Sequence, residues 1–246
     1  MKLFYSTMHS FIHKSLVAAY EAGVHDQIEY VPTFPYFNTD GVNVAGQYPM
    51  ASLNPLAKVP TLTLDNGQVI YGSQAVIECL DSLRTGGVPL FPPSGPARWD
   101  AITRLALADT IFETTTMMVM EGWYPVEQRH VKVYETIWAK VIAGLNSLDA
   151  AAGRGFDQFD VGQVGMLQAI SYIDFRGKFY LDEDPVQPGF DWREGREHLV
   201  AWYEETITRP SVAWHFNHDY EGDTSPDNFI IKLAEVLQAR TQLLSS

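Results

Sequence analysis

The chain has 246 residues, 46% apolar and 19% charged, which is enough hydrophobic material to close one large core or two modest ones and excludes a disordered chain. Thirty acidic residues against 17 basic ones give a formal net charge of −13, which argues against nucleic acid and anionic membrane surfaces as partners and requires any anion site to be local. The lone cysteine, Cys79, rules out an internal disulfide. No apolar run approaches the roughly 20 residues of a membrane span, and Met1–Ser6 lacks a secretory apolar region, so a reducing, cytoplasmic setting is expected.

In chain order, Lys2–Ser6 predicts a first strand, Ser10–Ala22 a helix stopped by Gly23, and Gln27–Val31 a second strand of alternating polarity. Residues 32–53 mix aromatics, glycine and proline without a period and predict an irregular stretch with room for one short helix. Residues 54–80 carry the densest signal. Val59-Pro60 opens a strand, Asn66-Gly67 predicts a hairpin, and a second strand leads to a helix with Ser73 as its N-cap. Proline at a strand start predicts a cis bond or an edge, with backbone groups left for a ligand. A helix start at Ser73 adds unpaired amides and a partial positive charge. Cys79 falls on that helix's apolar stripe with Val76, Ile77 and Leu80, which predicts a buried structural thiol.

Gly86–Pro96 is rich in glycine and proline and predicts a linker. After it the strand signals stop. Arg98–Gly122 and Val126–Ala152 predict long helices, and Asp160-Val161-Gly162-Gln163 predicts a capping box ahead of another. Glu194–Thr206, a short helix from Arg209-Pro210-Ser211, and a last amphipathic helix over 226–243 complete an all-helical second half. The β-α-β then β-β-α order of the first half predicts a small mixed sheet flanked by helices.

Two independent sets of residues carry a family resemblance. Asn54-Pro55-Leu56-Ala57-Lys58-Val59-Pro60, followed by strand, Asn66-Gly67, strand and Ser73, resembles the glutathione-binding domain of cytosolic glutathione transferases. Leu107-Ala108-Asp109, Tyr124-Pro125-Val126-Glu127-Gln128-Arg129, Ile170–Arg176 and Trp202-Tyr203 with Thr208–Ser211 resemble the helical domain of bacterial members. The resemblance implies an α/β thioredoxin-like N-terminal domain over 1–84, a linker over 85–96, and an all-α domain over 97–246 with an apolar substrate cleft. It implies a homodimer, glutathione as co-substrate and no metal.

For the site, the resemblance implies one hydrogen-bond donor near the end of the first strand that stabilises the glutathione thiolate, since the thiolate is the nucleophile. Aligning the helix start puts His9 at that position, and matching from the chain start puts Ser10 there. Ser10 is preferred because a hydroxyl at a helix N-terminus acts together with the dipole, while His9 helps most when protonated. Tyr5, within the strand, reads as a packing residue. Val59 and Pro60 would meet the cysteinyl backbone, Lys58 the glycyl carboxylate and Ser73 the γ-glutamyl carboxylate. Gly72 departs from the family pattern, which has an acidic residue there for the γ-glutamyl amine; Asp109, reaching across a dimer interface, is the candidate substitute. Tyr36, Met117, Trp123 and Trp214 are candidate walls for an apolar electrophile. His9 and His13 share a helical spacing but lack a third metal ligand nearby. The expected function is glutathione transfer to an electrophilic apolar compound. Alternatives on the same scaffold are isomerisation, ether cleavage or dehalogenation with glutathione, and a non-catalytic ligand- or partner-binding protein.

Overall fold

The computed structural model describes residues 1–5, 11–32, 50–121, 126–180 and 184–217. Four strands, β1 (Lys2–Tyr5), β2 (Glu29–Pro32), β3 (Thr61–Thr63) and β4 (Val69–Tyr71), form one sheet in the order β2-β1-β3-β4. β1 runs parallel to β2 and antiparallel to β3, and β3 runs antiparallel to β4. The parallel pair is separated by helix α1 (Phe11–Glu21), as a crossover requires, and the antiparallel pair by a tight turn. That turn spans Asp65–Gly67: Leu64 N donates to Gln68 O, Gln68 N to Asn66 Oδ1, and Gly67 takes φ +85°. A three-residue loop ending in a left-handed glycine is a common hairpin closure.

Helices make up most of the rest: α2 (Met50–Leu53), α3 (Ser73–Ser82), α4 (Gly95–Glu121), α5 (Val131–Arg154), α6 (Val161–Tyr180), α7 (Glu197–Thr206) and α8 (Pro210–Asn217). The chain divides into two compact units that do not follow the linear order. One holds residues 1–12, 27–76 and 216–246, the other 13–26 and 77–215. In the first, the sheet is lined by Phe4, Met50 and Val59, with Val31, Leu53 and Ala57 against them. Tyr5 is buried and meets Tyr30 edge-on at 6.2 Å, the packing role expected of it. In the second, Val17 and Ala18 of α1 and Ile77 of α3 join Ala101, Leu105, Val161, Val164 and Leu167 in one core. Both helices next to the sheet in sequence therefore contribute apolar residues to the core of the long helices.

Local chemistry explains the boundaries. α1 ends in a Schellman motif, with Val24 N donating to Ala19 O, Gly23 N to Tyr20 O, and Gly23 at φ +70°. Its last turn is tied to the start of α8, because Glu21 Oε1 accepts from Arg209 Nη2 at 3.0 Å and from Ser211 Oγ. α4 and α6 approach closely where Gly162 and Gly165 carry no side chain. A Cβ at Gly162 would sit 2.8 Å from Ala101 O, and one at Gly165 2.9 Å from Leu105 Cδ1.

Several expectations change. Ser73 is the first residue inside α3 and not its N-cap: Gly72 O accepts the first helical bond from Val76 N, so Gly72, at φ +87°, occupies the cap. Cys79 is half-buried at the edge of the stripe, while Val76, Ile77 and Leu80 are fully covered; desolvation raises its thiol pKa. Asp160 does cap α6, accepting from Gly162 N and Gln163 N, but Gln163 does not reach back. It donates instead to Gln158 O and accepts from Trp202 Nε1. The Gly86–Pro96 segment is hydrogen-bonded to the end of α3: Asp81 accepts from Leu90 N, Phe91 N and Arg84, which itself donates to Gly87 O and Val88 O. α5 starts at Val131, after a short 3-10 turn at Val126–Gln128. Residues 226–243 lie outside the described residues.

Candidate functional site

Residues 54–60 form a knot that presents Val59. The Asn54 side chain, buried, accepts from Leu56 N at 3.0 Å and donates to Lys58 O at 2.9 Å and Thr61 Oγ1 at 3.3 Å. Thr61 Oγ1 donates to the same Lys58 carbonyl at 2.8 Å, and Ala57 N to Asn54 O at 2.7 Å. The chain turns so sharply that Ala57, not a glycine, takes φ +49°. The Val59–Pro60 bond that follows is cis, one of the two expected outcomes. Among the described residues the amide and carbonyl of Val59 have no hydrogen-bond partner, although its side chain is buried.

The hairpin register then brings the other half of the segment alongside. Thr61 pairs with Tyr71 at the end of the β3–β4 ladder, so Pro60 and Gly72 adjoin paired residues on neighbouring strands. Gly72 turns the chain into α3 at a positive φ that L side chains rarely adopt, and a Cβ there would meet nothing within 4 Å. Ser73 is half-buried, and its hydroxyl has no hydrogen-bond partner among the described residues. The first-turn amides of α3 are unpaired within the helix by construction. Lys58 is exposed, with its ammonium unengaged among the described residues. This end of the hairpin thus offers one strand-like amide and carbonyl, one hydroxyl and a helix N-terminus. Such groups can hold an extended peptide backbone and a carboxylate.

Asp109 lies on α4, in the helical unit, and its carboxylate is engaged there. Lys14 Nζ of α1 donates to Asp109 Oδ1 at 2.6 Å, with the lysine side chain fully buried and the aspartate 20% exposed. Burial pushes the lysine pKa down and the aspartate pKa up, and their mutual attraction opposes both shifts. His13, next to Lys14, is held near pKa 4 by burial and is neutral at physiological pH. No group of three or more His, Cys, Asp or Glu able to hold a metal occurs among the described residues.

His9, Ser10, Tyr36 and Trp123 lie outside the described residues. Trp214 falls on α8. Met117 is 59% exposed on α4, whereas its neighbour Met118 is in the core. Two residues without an expected role turn out to have a structural one, Asn54 in the turn before Val59 and Lys14 within the helical unit. Asn54 had a signal, a polar residue before proline at a turn, and reading its side-chain bonds required the fold. Lys14 had none beyond a charge on an otherwise apolar helix.

The family model described as Glutathione S-transferase, N-terminal domain, matches residues 10–83. The chain is 26% identical over 217 residues to the uncharacterized GST-like protein YibF of Escherichia coli (strain K12), a match covering 87% of this chain and 96% of that one. A glutathione transferase family member from Pseudomonas fluorescens Pf-5, solved with bound glutathione, is 29% identical with a TM-score of 0.72, covering 86% of this chain and 96% of that one. A glutathione S-transferase from Methylobacillus flagellatus KT, solved with GSH bound, is 25% identical with the same TM-score of 0.72 and the same coverages, 86% and 96%.

Proposed function

The chain belongs to the glutathione transferase superfamily, and from that premise we propose that it binds glutathione and joins its sulfur to an electrophilic apolar compound. The observation that supports this most directly is the pairing of Thr61 with Tyr71 where the two strands end, with the unpaired amide and carbonyl of Val59 two residues before the one and the unclaimed Ser73 hydroxyl two residues after the other. Val59 pairs with the cysteinyl backbone, Ser73 and the first amides of α3 take the γ-glutamyl carboxylate, and Lys58 meets the glycyl carboxylate. Glutathione carried by the Pseudomonas fluorescens and Methylobacillus flagellatus relatives supports the same ligand here. Ser10, preceding α1, donates to the thiolate, with His9 the alternative donor. Stabilising the thiolate lowers the thiol pKa and raises the nucleophile's concentration at neutral pH. Holding both reactants supplies the rest of the acceleration. Tyr36, Met117, Trp123 and Trp214 remain the candidate walls for the electrophile, and the working form is a homodimer.

Asp109 Oδ1 accepts from Lys14, and Gly72 has no side chain, so no carboxylate stands directly before Ser73 for the γ-glutamyl amine and Asp109 of a second copy stays the candidate substitute. That one difference favours a second reading, a member that holds ligands without turnover. Calorimetry with glutathione separates them. Saturable binding below about 10 mM, with Ser10→Ala lowering turnover on an electrophilic substrate while leaving affinity nearly intact, supports the transferase. Absence of heat at such concentrations sinks it. Product identification then distinguishes conjugation from isomerisation, ether cleavage or dehalogenation.

A further inference from the structure

The helical unit contains a cavity of about 630 Å³ that the proposed function does not use. It is a half-open cavity lined by the N-terminal half of α4, the C-terminal end of α5, residues 92–94 ahead of α4 and the loop that precedes α6. Its size falls within the range of small-molecule sites. Leu107, Leu148, Ala151 and Phe156 supply an apolar floor.

The charges around it divide into spent and unspent groups. Arg104 Nη2 donates to Asp160 at 2.6 Å and the guanidinium lies 4.8 Å from the centre of the Phe156 ring, which ties this charge pair to the wall, while its buried Nε has no hydrogen-bond partner among the described residues. Asp100 on α4 and Asp157 in the loop are exposed and have no hydrogen-bond or ion-pair partner among the described residues. Arg154, at the last turn of α5, is likewise unengaged. Two carboxylates and one guanidinium without a partner among the described residues thus line the same cavity, in a chain whose net charge is −13. Thr103 and Ser147 add hydroxyls that can accept hydrogen bonds. A bare metal ion fits poorly, because the floor is apolar and no three-ligand cluster occurs among the described residues.

We propose that this cavity is a second binding site, sharing no residue with the Val59–Ser73 platform, and that it takes an organic cation: an ammonium carried on an apolar, flat or aliphatic body. The body covers Leu148, Ala151 and the open side of Phe156, and the ammonium sits between Asp100 and Asp157. Arg154 weakens the site for such a ligand and would reject a second positive charge.

The test titrates the full chain with dansylcadaverine, a fluorescent primary amine on a naphthalene body, and with dansylglycine, the same body bearing a carboxylate. The amine is expected to bind saturably below about 1 mM and the carboxylate at least about tenfold more weakly. The double variant Asp100→Asn/Asp157→Asn should weaken the amine about tenfold, and Arg154→Ala should tighten it several-fold. All three substitutions are at exposed positions, and glutathione binding by calorimetry should be unchanged in them, which separates this site from the first. Binding that ignores the aspartate substitutions, equal affinity for the two probes, or no saturable binding at about 1 mM would each overturn the proposal.

Discussion

Lys14 on α1 and Asp109 on α4 form an ion pair of 2.6 Å in the interior of the helical unit, with the lysine side chain fully enclosed. A buried ammonium is tolerated only with an anion at hand; burial lowers the Lys14 pKa, and Glu113, one turn along α4, adds to the Asp109 field that favours the charged form. The pair fixes the face that α1 turns toward α4.

Removing one partner should therefore cost far more than removing both. Asp109→Ala takes away the anion and is expected to lower the unfolding free energy by about 3 kcal/mol, Glu113 offsetting part of the larger loss such sites can show. Lys14→Met/Asp109→Leu should recover most of that loss. Urea unfolding of the two variants measures both. If the double variant is no more stable than Asp109→Ala, the pair is not what orders the contact.

His13 gives the fold an acid-labile component with a definite sign. Its pKa falls from 6.5 to about 4 on folding, so the unfolded chain takes up a proton that the native one refuses. The stability it contributes is complete above pH 6.5 and is lost as pH falls toward 4, by up to about 3 kcal/mol. His13→Gln should flatten that part of the pH profile. Urea midpoints at pH 7, 5 and 4 for both proteins decide it, and parallel profiles would remove His13 from the account.

Asn54 holds the turn that presents Val59 through three side-chain bonds in a buried setting. Asn54→Ala leaves the Leu56 amide without its partner and the Lys58 carbonyl with Thr61 Oγ1 alone, and should destabilise the protein by about 2 kcal/mol. Glutathione affinity should fall along with stability, because the amide and carbonyl of Val59 lose their fixed direction. Calorimetry at a temperature where the variant is still folded measures the second effect. Unchanged affinity would show that the knot does not position the platform.

Gly72 offers a gain-of-function test. A side chain there meets open space, so the penalty for Gly72→Glu is backbone strain at φ +87°, about 1 to 2 kcal/mol. A carboxylate facing the γ-glutamyl amine should tighten glutathione about tenfold or more. Tm and calorimetry on the same variant report the two effects separately. A stability loss with no gain in affinity would place the ligand's amine elsewhere.

Much of this architecture was legible in the sequence because it is set locally. Gly23 stops α1, Asn66-Gly67 closes the hairpin, Asp160 caps α6, and the switch from short alternating runs to long 3.6-residue periods marks where strands give way to helices. The Val59-Pro60 step and Ser73 were also placed by local signals, one residue off in the case of the cap. Those signals act over a few bonds, between residues that are neighbours in the chain.

What only the tertiary structure decided depends on residues far apart in sequence. Lys14 meets Asp109 across 95 positions. Glu21 accepts from Ser211 across 190. Gln163 leaves its own helix start for Trp202, and Val17, Ala18 and Ile77 of α1 and α3 enter the helical core. A capping or periodicity rule cannot choose among such partners, because each side chain had an acceptable local alternative. The choice is made by which buried charge needs which counter-charge and which apolar face finds a surface to cover, and that is settled only when the whole core closes.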